Sequence, residues 1–176
     1  MSKQLFNLRL AAAYAQPDNT IDKLDVDVLV DGEWTALDLD TRTPGFLIYV
    51  YSMFTCQHTF LRTNSTERNL ELNDAQGFIL VEASEDWLLE KIDVQFDATV
   101  SGSLPSEEDV DYIVSRMKNC PVSRNLPENI ISHTRVDFKN IDKARKSSHC
   151  GLGPFSRKGF DIEDGRFAFS CTPADL

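Results

Sequence analysis

The sequence has no apolar run that approaches the roughly 18–20 residues needed to span a bilayer. It has no glycine-rich phosphate loop and no basic patch interleaved with aromatics, so nucleotide and RNA functions find no support. Basic residues are few: 18 Lys and Arg stand against 28 Asp and Glu, a formal net charge of -10. Phosphate binding rests on Lys and Arg density, so nucleic acid and anionic membrane surfaces are disfavoured as partners. There are no internal repeats and no low-complexity tracts. Cysteine is scarce too, with four in 176 residues. His149, Cys150 and Cys171 could supply three metal ligands, but zinc motifs show paired ligands at both ends of the spacing. A Cys150–Cys171 disulfide is a second reading of those two residues.

What is present suits one soluble domain with a single core, since 41% of residues are hydrophobic and 26% charged. Lys3 precedes an apolar stretch, yet Asn7 and Arg9 interrupt what would be the apolar centre of a signal peptide. A first β-strand is expected there instead, in a protein of the cytoplasm. Structural disulfides are rare in that reducing compartment, where paired cysteines mean redox chemistry, a metal or core packing.

Leu5 to Tyr14 reads as a strand, and Pro17, Asp18 and Asn19 mark a turn within Gln16 to Lys23. Leu24 to Val30 alternates cleanly, Asp31-Gly32 turns the chain, and Trp34 to Leu39 returns, which is a hairpin signal. After Thr43-Pro44-Gly45 the period changes, and eight of the nine residues from Phe46 to Phe54 are apolar. A helix this apolar is expected from about 45 to 61, largely buried, with Pro44 in its first turn. Residues 63 to 76 carry no clear period. Gly77 to Ala83 and Lys91 to Val100 read as strands. Ser106 then offers an N-cap to a helix with Glu107, Glu108 and Asp109 in its first turn and a Val110, Ile113, Val114, Met117 stripe. Pro121 ends it beside Cys120, and a last strand runs from about Ile130 to Phe138. The expected fold is α+β: antiparallel sheets with two packed helices in residues 1–139. Residues 140–176 are expected as an irregular extension packed on that domain, with a short hairpin around Asp164-Gly165.

Cys56 falls on the helical stripe of Phe46, Tyr49, Met53 and Phe60, and Cys120 continues the stripe of Val110, Ile113 and Met117. Both thiols are therefore expected to point into the core. Spacing alone also fits two plain core cysteines, because free Cys is among the most buried residue types. His58, two residues past Cys56, falls on another side of the helix, which argues against a Cys–His dyad. Ser123 and Arg124 read as partners of helix-end carbonyls and surface charge. Glu82, Glu85, Asp86 and Glu90 read as a solvated rim.

The segment Pro105-Ser106-Glu107-Glu108, an amphipathic helix, and then Cys120-Pro121-Val122-Ser123-Arg124-Asn125-Leu126 resembles the second-cysteine region of the OsmC and organic-hydroperoxide-resistance family. The order of elements around it is similar as well, over about residues 5 to 138, with Cys56 on the long helix after an N-terminal antiparallel sheet. The resemblance implies an intertwined homodimer and a thiol peroxidase acting on organic hydroperoxides, with no metal and no organic cofactor. Cys56 would be the peroxidatic thiolate and Cys120 the resolving thiol, with a disulfide between them reduced by an external dithiol such as a lipoylated protein. Members of the family carry a Glu near the start of the first helix and an Arg from the N-terminal sheet. Here Pro44-Gly45-Phe46-Leu47-Ile48 holds no carboxylate, the first sheet holds only Arg9, and Arg42 stands just before the helix. A relative that keeps the fold as a binding or structural protein, with cysteines that only pack, is the alternative.

Overall fold

The computed structural model describes residues 3–141 in full and the backbone of 160–163 and 166–169. The chain divides into two compact units, Met1–Ile141 and Asp142–Leu176. In the first, six strands form one sheet in the order β3-β2-β1-β4-β5-β6. They are β1 (Gln4–Ala15), β2 (Thr20–Val30), β3 (Glu33–Ala36), β4 (Glu71–Ala83), β5 (Leu89–Ser101) and β6 (Ile131–Asn140). Helix α1 (Gly45–Glu67) joins β3 to β4, and α2 (Glu107–Lys118) joins β5 to β6. In the second unit β7 (Phe160–Glu163) and β8 (Arg166–Phe169) pair antiparallel, while the expected turn residues Asp164 and Gly165 lie outside the described residues.

Alternation builds the sheet. Along β5 every second residue from Ile92 to Val100 is buried, and Leu8, Leu10 and Ala12 of β1 stand in the same layer. Pairing aligns them in rows, such as Val28, Leu8, Ile79, Val94 and Thr134. A neighbouring row, Val26, Leu10, Gly77, Phe96 and Val136, contains a glycine for a steric reason. A Cβ on Gly77 would stand 2.5 Å from Cε1 of Phe96 and 3.0 Å from Cγ of Leu10. The Phe96 ring fills that place and carries the rings of Phe54 at 5.6 Å and His58 at 6.0 Å between centroids. Gly77 thus sets how closely α1 approaches the sheet.

The all-antiparallel expectation fails at one strand pair. β6 runs parallel to β5, because α2 is the crossover between them and returns the chain to the end where β5 began. Several boundaries also move. β2 begins at Thr20, inside the expected turn, since strand pairing with Tyr14 and Ala15 outweighs its polar composition there. β3 stops at Ala36, and β4 starts at Glu71 instead of Gly77. A register shift between Leu72 and Asp74 interrupts the period-two pattern at the start of β4. Helix α1 runs on to Glu67, and there Thr59, Thr63, Asn64 and Thr66 each hydrogen-bond a carbonyl four residues back, so their polar groups are satisfied within the helix. No helix of the described residues is long and apolar enough to cross a membrane.

Candidate functional site

Helices α1 and α2 run antiparallel on the sheet, and their side-chain links establish this directly. Arg116 Nε donates to Asn64 Oδ1 at 3.2 Å, Tyr112 Oη donates to Glu67 Oε2 at 2.8 Å, and Arg68 pairs with Asp109 at 3.4 Å. Each step up α1 is matched by a step down α2. Farther toward the start of α1, Cys56 lies beside Cys120 at the end of α2. Helix α2 is well fixed for this task. Ser106 and Asp109 form a reciprocal capping box at its start, and the 0%-exposed Ile113, Met117 and Cys120 anchor its inner face.

The Cys56 and Cys120 thiols are close neighbours, and both cysteines are unbridged. Their environments differ. Cys120 is fully buried, whereas Cys56 is half-buried. The inward stripe of α1 is Val50, Met53, Phe54, Gln57, His58, Leu61, Asn64 and Ser65, so the expected inward stripe through Cys56 is corrected. Of the expected stripe Met53 is buried, whereas Cys56 lies on the rim of the packed face, because Gln57 and His58 find buried polar partners and take the inner positions that apolarity alone would not give them. Phe46 and Phe60 are half-buried, and Tyr49 reaches solvent.

The turn after α2 serves both sulfurs. The backbone N–H of Val122 faces Cys56, where it favours the thiolate. The next N–H, that of Ser123, donates to Cys120 Sγ at 3.4 Å. Cys120 Sγ in turn donates to Ser123 Oγ at 3.2 Å. Behind this hydroxyl, Gln57 Nε2 donates to Ser123 Oγ at 3.1 Å, and Thr134 Oγ1 donates to Gln57 Oε1 at 3.1 Å. Thr134, Gln57 and Ser123 are all buried, so this polar line is satisfied inside the protein. Ser123 is therefore a partner of a thiol, beyond the helix-end role expected for it. Gln57 and Thr134 carry no signal in the sequence, since a single buried amide beside a hydroxyl has no periodic signature.

The Cys56 thiol is pushed up from its ordinary 9.0, first by burial, with the neighbouring Cys120 thiol adding to the effect against the Val122 N–H. No cation is among the groups that shift it. Arg42, the sequence candidate for activation, is exposed and holds Asp40 through Nε at 2.8 Å and Nη2 at 2.5 Å. Arg9 is buried, holds Asp27 at 2.8 Å and lies 4.7 Å over the Trp34 ring. His58 turns away from the cysteines to Tyr14. In the acidic rim, Glu82 pairs with Lys3 at 2.8 Å and Lys91 at 3.9 Å, while Glu85 and Asp86 are exposed. His149, Cys150 and Cys171 lie outside the described residues.

No family model matches the sequence, and no curated protein matches it. Among solved structures, the chain is similar to an OsmC-like protein from Mycoplasma pneumoniae, with 14% identity, 74% of this chain and 95% of that chain covered, and a TM-score of 0.44. It is similar to an OsmC-like hydroperoxide resistance protein from Jannaschia sp. CCS1, with 17% identity, coverage of 73% and 91%, and a TM-score of 0.45. It is also similar to the organic hydroperoxide resistance protein OhrB of Bacillus subtilis, with 15% identity, coverage of 73% and 96%, and a TM-score of 0.35.

Proposed function

We propose that this chain is a thiol-dependent peroxidase that reduces organic hydroperoxides with Cys56 and Cys120. The observation that carries the reading is the closeness of the two thiols across the α1–α2 pair. Their unequal exposure supports a division of labour. Cys56, half-buried on the rim, meets the hydroperoxide, while the enclosed Cys120 meets only Cys56. The Cys56 thiolate attacks one peroxide oxygen, the O–O bond breaks, and an alcohol leaves after taking up a proton. Cys56 then holds a sulfenic acid. Cys120 attacks its sulfur, the S–S bond forms, and the sulfenic hydroxyl leaves with the Cys120 proton as water. An external dithiol, such as a lipoyl group, returns two electrons and two protons and restores both thiols.

The rim stripe also supports an apolar substrate and a homodimer. Toward the start of α1 it leads to Phe46, whose ring lies 5.0 Å from Phe6, 5.7 Å from Trp87 and 6.1 Å from Tyr49 between centroids. Trp87 is 51% and Leu88 68% exposed, and apolar surface of this kind marks an interface. A second copy of the chain is the proposed occupant.

A second reading has its own observation, the upward push on the Cys56 thiol, to which no cation of the described residues contributes. In that reading the cysteines pack and the chain is a binding or structural protein. Steady-state reduction of cumene hydroperoxide with dithiothreitol or dihydrolipoamide separates the two. The peroxidase reading expects turnover that Cys56→Ser abolishes, and an identical background rate for both proteins supports the second.

A further inference from the structure

The line Thr134, Gln57, Ser123 ends on the sulfur that the proposed cycle uses second. Its hydrogen-bond directions are constrained from the far end. Thr134 donates to Gln57 Oε1, which fixes the amide so that Nε2 faces Ser123. Ser123 Oγ must accept from Gln57. That leaves the hydroxyl one lone pair and its own proton for Cys120. With the thiol protonated, the lone pair accepts S–H, as the 3.2 Å contact shows. With the thiolate, the same hydroxyl can rotate its proton toward sulfur and join the Ser123 backbone N–H already directed there. A serine held in this way serves both protonation states of a 0%-exposed sulfur without water.

We propose that Ser123 is a positioning residue for Cys120, oriented by Gln57 and Thr134, and that it controls resolution of the Cys56 sulfenic acid. This rests on the peroxidase reading of the same two cysteines. In the resolving step Cys120 gives up its proton as its sulfur bonds to Cys56 and the sulfenic hydroxyl departs as water. That proton leaves in the water, while Ser123 holds the Cys120 sulfur beforehand and offers the developing thiolate a donor. In the disulfide, Cys120 has no S–H, so its bond to Ser123 Oγ is lost. Ser123 therefore speeds formation of the disulfide and also favours the reduced pair over it. A residue that only supports the fold would not push these two quantities in opposite senses.

The test uses the full chain. After one equivalent of cumene hydroperoxide, the sulfenic acid is trapped with dimedone at increasing delays, which gives its lifetime. In parallel the Cys56–Cys120 disulfide is equilibrated in dithiothreitol redox buffers. For Ser123→Ala the sulfenic acid should persist about tenfold longer, and the disulfide should be favoured about fivefold over wild type. Ser123→Thr, which keeps the hydroxyl, should restore the lifetime. Thr134→Val, a near-isosteric change two hydrogen bonds from sulfur, should lengthen it about threefold and guards against a variant that fails to fold. Unchanged lifetime and unchanged equilibrium in Ser123→Ala overturn the proposal. So does a longer lifetime with a disulfide that is less favoured. If wild type forms no sulfenic acid, the peroxidase reading and the kinetic half of this proposal fail together. The redox equilibrium then still decides whether Ser123 holds the reduced thiol.

Discussion

The Tyr14 hydroxyl meets Nε2 of His58 at 2.6 Å, closing a contact between β1 and the buried face of α1. Burial raises the Tyr14 pKa, so the phenol keeps its proton, and burial likewise keeps the His58 imidazole neutral at pH 7. The ring stacks on Phe96 at 20° between planes, and Phe96 rests in the space above Gly77. One polar contact and one missing side chain thus fix the helix that carries Cys56.

His58 makes stability depend on pH in a stated direction. Burial first, and then the Arg62 charge, push it down from 6.5 to about 4. Between those values the unfolded chain takes up a proton that the folded chain refuses. The contribution is intact above pH 6.5 and drains away as pH falls toward 4, by on the order of 3 kcal/mol. Urea unfolding at a series of pH values should show this decline in wild type and a shallower one in His58→Gln. Equal slopes for the two proteins would remove His58 from the account.

Gly77→Ala tests the seating of α1. The added methyl meets Phe96 atoms at 2.5 and 2.8 Å, and Phe96 is held by Phe54 and His58 above it. Overpacking of this kind costs about 1–3 kcal/mol. A urea midpoint equal to that of wild type would show that the ring has room to yield.

The sequence made some of this arrangement legible and hid the rest for identifiable reasons. The strand over Leu24–Val30, the Asp31-Gly32 turn and the Ser106 cap each follow from local chemistry and stand in the structure, although Leu24 and Val30 at the two ends of that alternation are exposed. The parallel placement of β6 depends on where α2 returns the chain, which no local pattern encodes. Helix α1 misled because its apolar residues nearly encircle it. Phe46, Tyr49 and Phe60 then looked as inward as Val50 and Phe54, while the true inner face includes Gln57, His58 and Asn64. Polar residues inside a core are found from their partners, and those partners lie on β1, β6 and the turn after α2.

The Cys56 thiol should remain mostly protonated at neutral pH, because burial and the Cys120 thiol push it above 9.0. Its alkylation by iodoacetamide should climb about tenfold per pH unit between pH 7 and 9 without levelling. Cys120→Ala removes one of the upward contributions, so alkylation at pH 8 should be faster in that variant. A plateau below pH 8 in wild type would reveal a cationic neighbour and contradict the environment described for Cys56.

The exposed Tyr49, Trp87 and Leu88, beside the half-buried Phe46, should be covered by a second copy of the chain. Light scattering across a micromolar dilution series should give the mass of a homodimer. Trp87→Glu should shift the equilibrium toward monomer, and a monomeric wild type at every concentration would refute the interface.

Peptide mapping after one equivalent of cumene hydroperoxide tests whether Cys56 and Cys120 form a redox pair. A single intramolecular disulfide joining the Cys56 and Cys120 peptides is the expected product. Cys120→Ser should instead leave Cys56 as a sulfenic or more highly oxidised species, and Cys56→Ser should show neither product. Thiols that both stay reduced in wild type, or an oxidised pair of Cys150 with Cys171, would contradict the redox pair.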